Sequence, residues 1–442
     1  MSQTGVPNAL FSPGRRTLRR GMAIAGVVAL TGLAACGSSH PSSNATTTTS
    51  GSGTTPTSGS SPGSASTSAT PTGSPYVIHA ILSVTGSASF LGGEEKTALL
   101  ALQNQVNSSG GIDGHPLKFE VGDNQTTASV SVSLASPLIG KVPILIVGSI
   151  TTVDRPVDAL IGSSGPVTYD MSPGDHPKRG SYVYSSGNST TNQTQAFINY
   201  AEGQGWTRLA AITSTDASGQ DGWNGINKAV TDSGGKVTML DHETFDPHAV
   251  SVTTQLSKIK AKNPQALLIW TTGTPFSTVV KGMQQLGMQG VPTMTTNGNE
   301  SYKELVNLAG TLPSGLYFPS SQYQVPLDKL TGKARQVSED FHNAMKAAGQ
   351  PVPDEGNALA WDPALLLVSA VKTLGVDATA AQIQKYLSSQ TDFVGVGGTY
   401  NFTDPSIPDN RGLNISSVYI AKWDSSARDW VAVSGQAGQG SL

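Results

Sequence analysis

From Tyr76 onward, short apolar runs alternate with stretches whose apolar residues recur at helical spacing, and this alternation constrains the fold most strongly. Residues 77–84 form a mostly apolar run that ends in a Thr-Gly pair, which is typical of a strand buried on both faces. Apolar residues at helical spacing follow between positions 94 and 106, and a Gly-Gly pair ends the predicted helix. Strict alternation of strands and helices predicts parallel sheets covered by helices on both faces, which is the doubly wound α/β class.

The same alternation continues to about residue 320 and then changes. Further strands are predicted at residues 116–121, 143–148, 208–213, 236–240, 266–270 and 316–319. Helices are predicted at residues 129–139, 156–161, 193–200, 225–231, 252–261 and 278–286. Residues 327–388 are mostly helical in pattern, and strand-like alternation returns at residues 415–423 and 430–433. This order predicts a chain that returns to one lobe and then closes on the other, so that several crossings form a hinge.

The first 36 residues have the three-part layout of an export signal. Four arginines between positions 15 and 20 precede an uncharged apolar run, residues 22–35, that is shorter than the ~20 residues needed to span a bilayer. Residues 33–36 (L-A-A-C) resemble a bacterial lipobox, by which Cys36 becomes the first mature residue and carries lipid. The alternative is an incidental cysteine at the end of an ordinary signal peptide. Residues 15–18 (R-R-T-L) also resemble a twin-arginine signal, so the export route stays open between two pathways.

Residues 37–74 predict a disordered tether between Cys36 and the folded body. They hold almost only Ser, Thr, Gly, Pro and Ala, which bury too little apolar surface to offset chain entropy. Cys36 is the chain's one cysteine, which excludes an intramolecular disulfide and a thiolate zinc site within the chain. The position of this cysteine therefore predicts a lipid anchor that holds the protein at the bacterial cell membrane, on its extracytoplasmic side.

Charge and motif content argue against nucleic-acid binding and against an enzyme. The chain has 27 basic and 30 acidic residues, for a formal net charge of −3, and no basic stripe occurs after residue 20. The seven histidines form no H-x-x-x-H or H-E-x-x-H pattern, and neither G-x-G-x-x-G nor a Walker motif occurs. We therefore expect no catalytic residues, no cofactor and no metal. A secreted hydrolase is the less favoured alternative.

Several segments, read in order, resemble the leucine/isoleucine/valine-binding protein family, the extracytoplasmic solute receptors of ABC importers. The most specific is residues 107–117, N-S-S-G-G-I-D-G-H-P-L, after the first predicted helix. The remaining similar positions are residues 82–86, Gly92, Asp123, residues 147–148, residues 216–222, residues 308–310 with 315–316, and residues 398–402. The resemblance covers residues 76–435 and implies the type I periplasmic-binding fold, in which two doubly wound lobes joined by three crossings close over a small ligand. By it, lobe 1 comprises residues 76–191 and 325–407, and lobe 2 comprises residues 192–324 and 408–442.

The predicted ligand contacts of lobe 1 follow strand ends, where open α/β sheets bind ligands. The Gly-rich loop at residues 85–92 lets backbone N–H groups approach a ligand, although a plain strand-to-helix turn is the alternative. The third predicted strand is followed by residues with hydroxyl groups at the start of a helix. Hydroxyls and free N–H groups at a helix start can bind a carboxylate, and N-capping accounts for one of these hydroxyls. By the resemblance, Ser172 supplies a hydroxyl, and Tyr169 either stacks on the ligand or packs. The predicted contacts of lobe 1 are Ser87, Ser89, Leu91, Ser149, Thr151, Thr152, Tyr169, Asp170 and Ser172.

The predicted contacts of lobe 2 are Ser218, Asn297 and Glu300. Ser218 stands where many members of the family carry an aromatic residue. The family's acidic partner for an α-ammonium group aligns with Asn297 or Gly298, and Glu300 follows two or three places later. A buried ammonium without an ionised partner is costly. If Glu300 does not reach it, a carboxylate, an amide or another polar molecule is the alternative ligand.

The resemblance implies a monomeric solute-binding lipoprotein of an ABC importer. In this interpretation the ligand, an amino acid or a related polar molecule, bridges the lobes and shifts the population toward a closed form that the permease subunits recognise. The alternative within the same fold is a ligand sensor that signals to a membrane partner.

Overall fold

The computed structural model describes residues 70–442, so the predicted export signal, Cys36 and residues 37–69 of the predicted tether lie outside the described residues. Gly73 and Ser74 already contact the folded body, since the Gly73 N–H donates to the Gly114 carbonyl at 2.9 Å and the Ser74 carbonyl lies 2.7 Å from His115 Nδ1. None of the helices within residues 70–442 combines the length and the apolar character of a membrane span.

The first part of the described chain builds a parallel five-stranded sheet in the order β2-β1-β3-β4-β5. Its strands are β1 (Tyr76–Leu82), β2 (Leu117–Asp123), β3 (Ile144–Val147), β4 (Val167–Asp170) and β5 (Val183–Ser185). The helices between them are α1 (Ser89–Ser108), α2 (Ala128–Ala135) and α3 (Thr151–Asp158). The order reverses between β1 and β3, and ligands of doubly wound folds bind beside such a switch point.

The middle of the chain repeats this arrangement. Its helices are α4 (Thr190–Gly203), α5 (Ala217–Asp232), α6 (Thr253–Ala261), α7 (Thr274–Gln285) and α8 (Tyr302–Asn307). Its strands are β6 (Arg208–Ser214), β7 (Thr238–Phe245), β8 (Ala266–Trp270), β9 (Thr293–Thr295) and β10 (Leu316–Ser320). These strands run parallel, and the switch point lies between β6 and β8.

The last part of the chain returns to the first sheet and then joins the second. Three helices and a short hairpin come first: α9 (Gly332–Ala347), α10 (Glu355–Leu374), α11 (Ala380–Ser388), β11 (Phe393–Val394) and β12 (Thr399–Tyr400). The chain ends in the antiparallel strands β13 (Tyr419–Asp424) and β14 (Asp429–Ala432), which complete a seven-stranded sheet in the order β14-β13-β10-β9-β8-β6-β7. Antiparallel pairing follows from the short turn that joins β13 to β14.

Each sheet has its own hydrophobic core. Phe341 of α9 and Trp361 of α10 pack in the same cluster as the first sheet, whereas Phe276 of α7 and Trp423 of β13 belong to a core of the second. We call the first sheet with α1–α3 and α9–α11 the five-stranded lobe, and the second sheet with α4–α8 the seven-stranded lobe. The chain passes between them three times, which confirms the predicted fold class of two doubly wound lobes and a three-crossing hinge.

Strand and helix positions follow from local sequence. All residues of β3 (I-L-I-V) and β8 (A-L-L-I-W) are buried, as central parallel strands require. Helix α4 begins after Ser189, whose hydroxyl accepts from the Asn192 N–H at 3.1 Å, and α5 begins after Asp216, whose carboxylate accepts from the Gly219 N–H at 2.9 Å. Such side-chain caps satisfy N–H groups that have no partner within the helix.

Two predictions of local structure are corrected, and three strands had no prediction. Helix α1 begins at Ser89, so residues 89–92 are helical rather than part of a loop. The reason lies at Gly92, where an added Cβ would approach the Ser83 carbonyl to 2.3 Å, so this glycine serves helix–strand packing. Residues Ile415–Ser417 form a 3-10 turn rather than the start of a strand. The short strands β4, β5 and β9 were not predicted.

Candidate functional site

A small cavity of about 20 Å³ lies between the two lobes. The five-stranded lobe lines it with Leu91, Ser149, Ile150, Thr151, Ser172, Pro173, Gly174 and Leu359. The seven-stranded lobe and the crossing that leads to it contribute Thr190, Ser218, Trp270, Thr272, Thr296, Asn297 and Gly298. This volume suffices for about one water molecule, so the lobes are in a closed arrangement and a larger ligand requires them to separate.

The hydroxyl groups on the five-stranded side are held in place by hydrogen bonds. Thr151 Oγ1 lies 2.7 Å from Ser172 Oγ, and both side chains are buried. The Ser149 hydroxyl donates to Glu95 Oε2 and accepts from the Ser83 N–H at 3.3 Å. These contacts fix three polar groups beside the start of α3.

Helix α3 begins at Thr151 without a side-chain cap, because its N-cap residue is Ile150. The first N–H groups of an α-helix have no partner within the helix, and the helix dipole makes this end favourable for negative charge. An uncapped helix start that lies beside ordered hydroxyls can bind a carboxylate or a carbonyl oxygen.

The loop after β4 is packed tightly against α3. Arg155 donates to the Gly174 carbonyl at 2.7 Å and, through Nε, to Asp175 Oδ1 at 3.0 Å. A Cβ at Gly174 would lie 2.4 Å from Thr151 Oγ1, so a larger residue there would displace the threonine hydroxyl. Arg155 and Gly174 therefore position a wall of the cavity.

The seven-stranded side presents an indole and an amide. Trp270 ends β8 and is 2% exposed, and Gly222 of α5 lies so close that an added Cβ would come within 2.1 Å of the indole ring. Asn297 lies in a 3-10 turn after β9, and its amide donates to Glu355 Oε1 of α10 at 3.0 Å. Asn297 thus contacts both the cavity and the opposite lobe.

Further hydrogen bonds join the two lobes around the cavity. The Ser301 hydroxyl donates to Glu94 Oε1 at 2.5 Å, and the Tyr302 N–H donates to Asp354 Oδ1 at 2.7 Å. Burial raises the pKa of the Asp354 carboxyl to about 7, and burial together with the nearby Asp354 charge raises the pKa of the Glu94 carboxyl well above its ordinary value. The Thr274 N–H donates to the Ser87 carbonyl at 3.3 Å.

Buried carboxyl groups stand behind two of the lining residues. Burial raises the pKa of Glu95, which accepts from Ser149, well above its ordinary range. It also raises the pKa of Glu355, which accepts from Asn297, to about 8. The Glu355 carboxyl is therefore mostly protonated and neutral near pH 7.

The structure places half of the predicted contacts in the cavity lining. These are Leu91, Ser149, Thr151 and Ser172 from the five-stranded lobe and Ser218 and Asn297 from the seven-stranded lobe. Five of them closely follow the ends of strands β3, β4, β6 and β9, whereas Leu91 lies inside α1. The strand-end rule located Ser149 and Thr151, and the resemblance indicated Ser172, Ser218 and Asn297.

Three further predicted contacts lie near the cavity without lining it. Ser87 contacts α7 through its backbone carbonyl, and Ser89 lines a second cavity of about 350 Å³ that also contains Glu94. The Thr152 hydroxyl is buried and has no hydrogen-bond partner among the described residues.

The other three predicted contacts are held elsewhere. Tyr169 stacks on Tyr184 in the core of the five-stranded lobe, with ring centroids 5.6 Å apart, so of the two alternatives it packs. Asp170 is fully buried at the end of β4, where burial and neighbouring carboxyls, Asp158 first, raise its pKa. Glu300 Oε1 accepts from Ser320 and Tyr323 at 2.9 Å and from Gln324 at 3.0 Å, whereas Oε2 is buried without a hydrogen-bond partner among the described residues.

Sequence reasoning missed lining residues of two kinds. Trp270 ends β8 and Thr272 follows it, and the strand-end rule applied to this strand would have found them. Leu359 belongs to α10, a helix that packs on the first sheet although it lies far along the chain from it. No local sequence pattern marks this residue as a lining residue. No group of three His, Cys, Asp or Glu residues within residues 70–442 is arranged to hold a metal ion.

Comparison with known proteins agrees with this fold. Residues 75–428 match the family model described as periplasmic binding protein, and no curated protein matches the chain. An extracellular ligand-binding receptor from Rhodopseudomonas palustris HaA2 is 21% identical, with a TM-score of 0.68 and coverage of 80% of this chain and 99% of the receptor.

Two transporter components have similar structures. The branched-chain amino acid transporter substrate binding protein of Streptococcus pneumoniae, in complex with isoleucine, is 19% identical, with a TM-score of 0.67 and coverage of 81% of this chain and 99% of that protein. The fatty acid ABC transporter substrate-binding protein from Thermomonospora curvata is 18% identical, with a TM-score of 0.67 and coverage of 81% and 91%. At these identities the likeness concerns the fold.

The family match covers most of the chain, and the two lobes, the three crossings and the cavity between the lobes agree with it. The chain therefore belongs to the periplasmic binding protein family, and it has the type I fold of the leucine/isoleucine/valine-binding proteins that its sequence resembles.

Proposed function

We propose that this protein is the solute-binding lipoprotein of an ABC importer. In this proposal, lipidated Cys36 anchors it to the outer face of the bacterial cell membrane, and residues 37–74 act as the tether. Residues 76–191 and 325–407 form one lobe, and residues 192–324 and 408–442 form the other. The monomeric protein delivers its ligand to permease subunits and carries out no chemistry on it.

The observation that carries the proposal is the cavity between the lobes, to which both lobes contribute polar side chains. A ligand that contacts Thr151 and Ser172 on one side and Asn297 on the other favours the closed form, because only that form makes both sets of contacts. The structural relatives named for isoleucine binding and for fatty acid transport support a small organic ligand with a carboxyl group.

A thermal-shift screen followed by calorimetry tests the proposal. The screen contains amino acids, short carboxylates, amides and urea-like solutes, and NMR checks each mixture for turnover. At least one solute should raise the melting temperature with no product formed, since ligand binding stabilises the folded state. Absence of any binding solute, or conversion of a bound solute to product, would contradict the proposed function.

The double variant Thr151→Val, Ser172→Ala locates the binding site. It removes two hydroxyls beside α3, and we expect the affinity to fall roughly tenfold or more, as the loss of two hydrogen bonds implies. Thr253→Val removes a hydroxyl from the first turn of α6, outside the cavity lining, and serves as the matched control. Equal ligand affinity in the double variant and the control, with both proteins folded, would show that the hydroxyls of Thr151 and Ser172 do not bind the ligand.

A further inference from the structure

All the described side chains that line the cavity are uncharged. On the seven-stranded side, the residues with polar side chains that line the cavity are Trp270, Asn297, Thr190, Ser218, Thr272 and Thr296. The inference drawn from this lining rests on the proposed function. It concerns which solutes the closed cleft accepts. A zwitterionic amino acid brings an ammonium group as well as a carboxylate.

An ammonium group enclosed in the closed cleft needs an ionised partner, because a neutral amide or hydroxyl does not offset the loss of hydration of a full charge. The cavity lining supplies no carboxylate for this purpose, in contrast to the uncapped start of α3, which suits a carboxylate of the ligand. The cleft therefore offers a binding site for the carboxylate of an α-amino acid but no ionised partner for its ammonium group.

Four acids outside the lining, Glu95, Glu355, Glu300 and Asp221, are each hydrogen-bonded through one carboxyl oxygen only, and the other oxygen is buried with no partner among the described residues. Glu95 is fully buried and accepts from Ser149, while Glu355 is 1% exposed and accepts from Asn297 and, at 3.4 Å, from Ser321. Glu300 is likewise buried and accepts from three donors. None of the four is among the residues that line the cavity, although Asp221 Oδ2 of α5 would lie 3.4 Å from a Cβ added at the lining residue Gly174.

Apolar groups complete the lining. Leu91, Ile150 and Leu359 border the cavity from the five-stranded side, opposite the Trp270 ring. We propose that the ligand is a small aliphatic carboxylate or carboxamide that lacks an ammonium group, so that its carboxyl or amide end meets the hydroxyls near α3 and its uncharged end meets Trp270.

Matched pairs of ligands test this inference by calorimetry on the folded protein. The pairs are L-leucine with 4-methylpentanoate and L-valine with 3-methylbutanoate, and each acid is also tested as its carboxamide. The members of a pair share the aliphatic chain and differ in the ammonium group. We expect each ammonium-free acid or amide that binds to do so at least tenfold more tightly than its amino acid. The comparison of acid with amide distinguishes an anionic from a neutral ligand.

Two variants add the missing charge. Asn297→Asp and Ser218→Asp place a carboxylate on two separate elements of the seven-stranded lobe, and circular dichroism checks that each is folded. In at least one folded variant, the affinity ratio within a pair should shift tenfold or more toward the amino acid.

The outcomes separate the inference from the proposed function. Tighter binding of an amino acid than of its ammonium-free partner by the unaltered protein would overturn the inference and leave the proposed function standing. An unchanged ratio in both folded variants would also overturn it. Failure of the unaltered protein to bind any member of the pairs or of the wider solute screen would contradict the proposed function itself, and the inference would fall with it.

Discussion

At the scale of single residues, His176 connects the two lobes through its ring. Its Nε2 lies 3.0 Å from Asp221 of α5, and its Nδ1 lies 3.3 Å from Asp409, which precedes the last crossing. Hydrogen bonds to Asp221 and Asp409 raise the pKa of His176 to about 9, against the opposing effects of burial and of the nearby Arg411 charge. Asp175 also lies close enough to interact with its charge.

We expect His176→Gln to be less stable than the unaltered protein by about 1 kcal/mol at pH 6, a magnitude suited to a partly exposed ion pair. The folded-state pKa is above the ordinary value of 6.5, so the contribution of His176 is complete below pH 6.5 and is lost as the pH rises through about 9. Denaturant unfolding at pH 6 and at pH 9.5 measures the change. The difference between variant and parent should therefore shrink at the higher pH.

His248→Gln is the matched control, because His248 is an exposed histidine of the seven-stranded lobe. Its stability should follow that of the parent at both pH values. A deficit in His176→Gln that is the same at pH 6 and pH 9.5 would show that the ring contributes by packing rather than by charge.

Residues of the candidate site were predictable where a single rule applied to them. Ser149 and Thr151 follow β3, which the sequence marks, and parallel strands gather their carboxyl ends at one edge, whereas Asn297 was implied only by the family resemblance. Glu300 shows the limit of this reasoning. Its carboxyl is drawn to Tyr323 and Gln324, which come from the crossing after β10, and no local pattern brings these residues together.

At the scale of elements, the packing of α5 on β8 sets the position of Trp270. Gly222 allows the helix to lie directly against the indole, because an added Cβ would come within 2.1 Å of the ring. Trp270 in turn forms part of the cavity lining. The position of this helix therefore affects the shape of the candidate site.

We expect Gly222→Ala to lower the free energy of unfolding by about 1–3 kcal/mol, as overpacking in a core does. It should also weaken ligand binding, since the indole must move. Gly203→Ala is the matched control, because Gly203 ends α4 and has no atom near its added Cβ. Thermal unfolding and calorimetry of the two variants check this prediction, and a Gly222→Ala protein as stable as the Gly203→Ala protein would contradict it.

The elements differ in how far their sequences predicted them. Strands such as β1, β6 and β8 have long apolar runs and were found within a few residues. The strands β5 and β9 have three residues each, too few to display a periodicity, and they are strands because neighbouring strands pair with them. Helix α1 began earlier than predicted because its first-turn glycine packs against the backbone at Ser83.

At the scale of the whole molecule, three crossings and a set of hydrogen bonds between the lobes define a closed form. Ser301 with Glu94, Tyr302 with Asp354 and Asn297 with Glu355 join the lobes beside the cavity. The cavity of about 20 Å³ is too small to admit an organic solute without separation of the lobes. The proposed function therefore requires a more open form that admits the ligand and then closes around it.

The distance between the lobes, with and without ligand, tests this central claim most directly. Spin labels on cysteines at Ser129 of α2 and Lys281 of α7, both exposed, in a Cys36→Ser background report that distance by pulsed electron resonance. We expect a longer and broader distance distribution without ligand, and a shorter, narrower one with a solute that calorimetry has shown to bind. The same distribution in both states, with binding demonstrated, would contradict the account of a cleft that closes on its ligand.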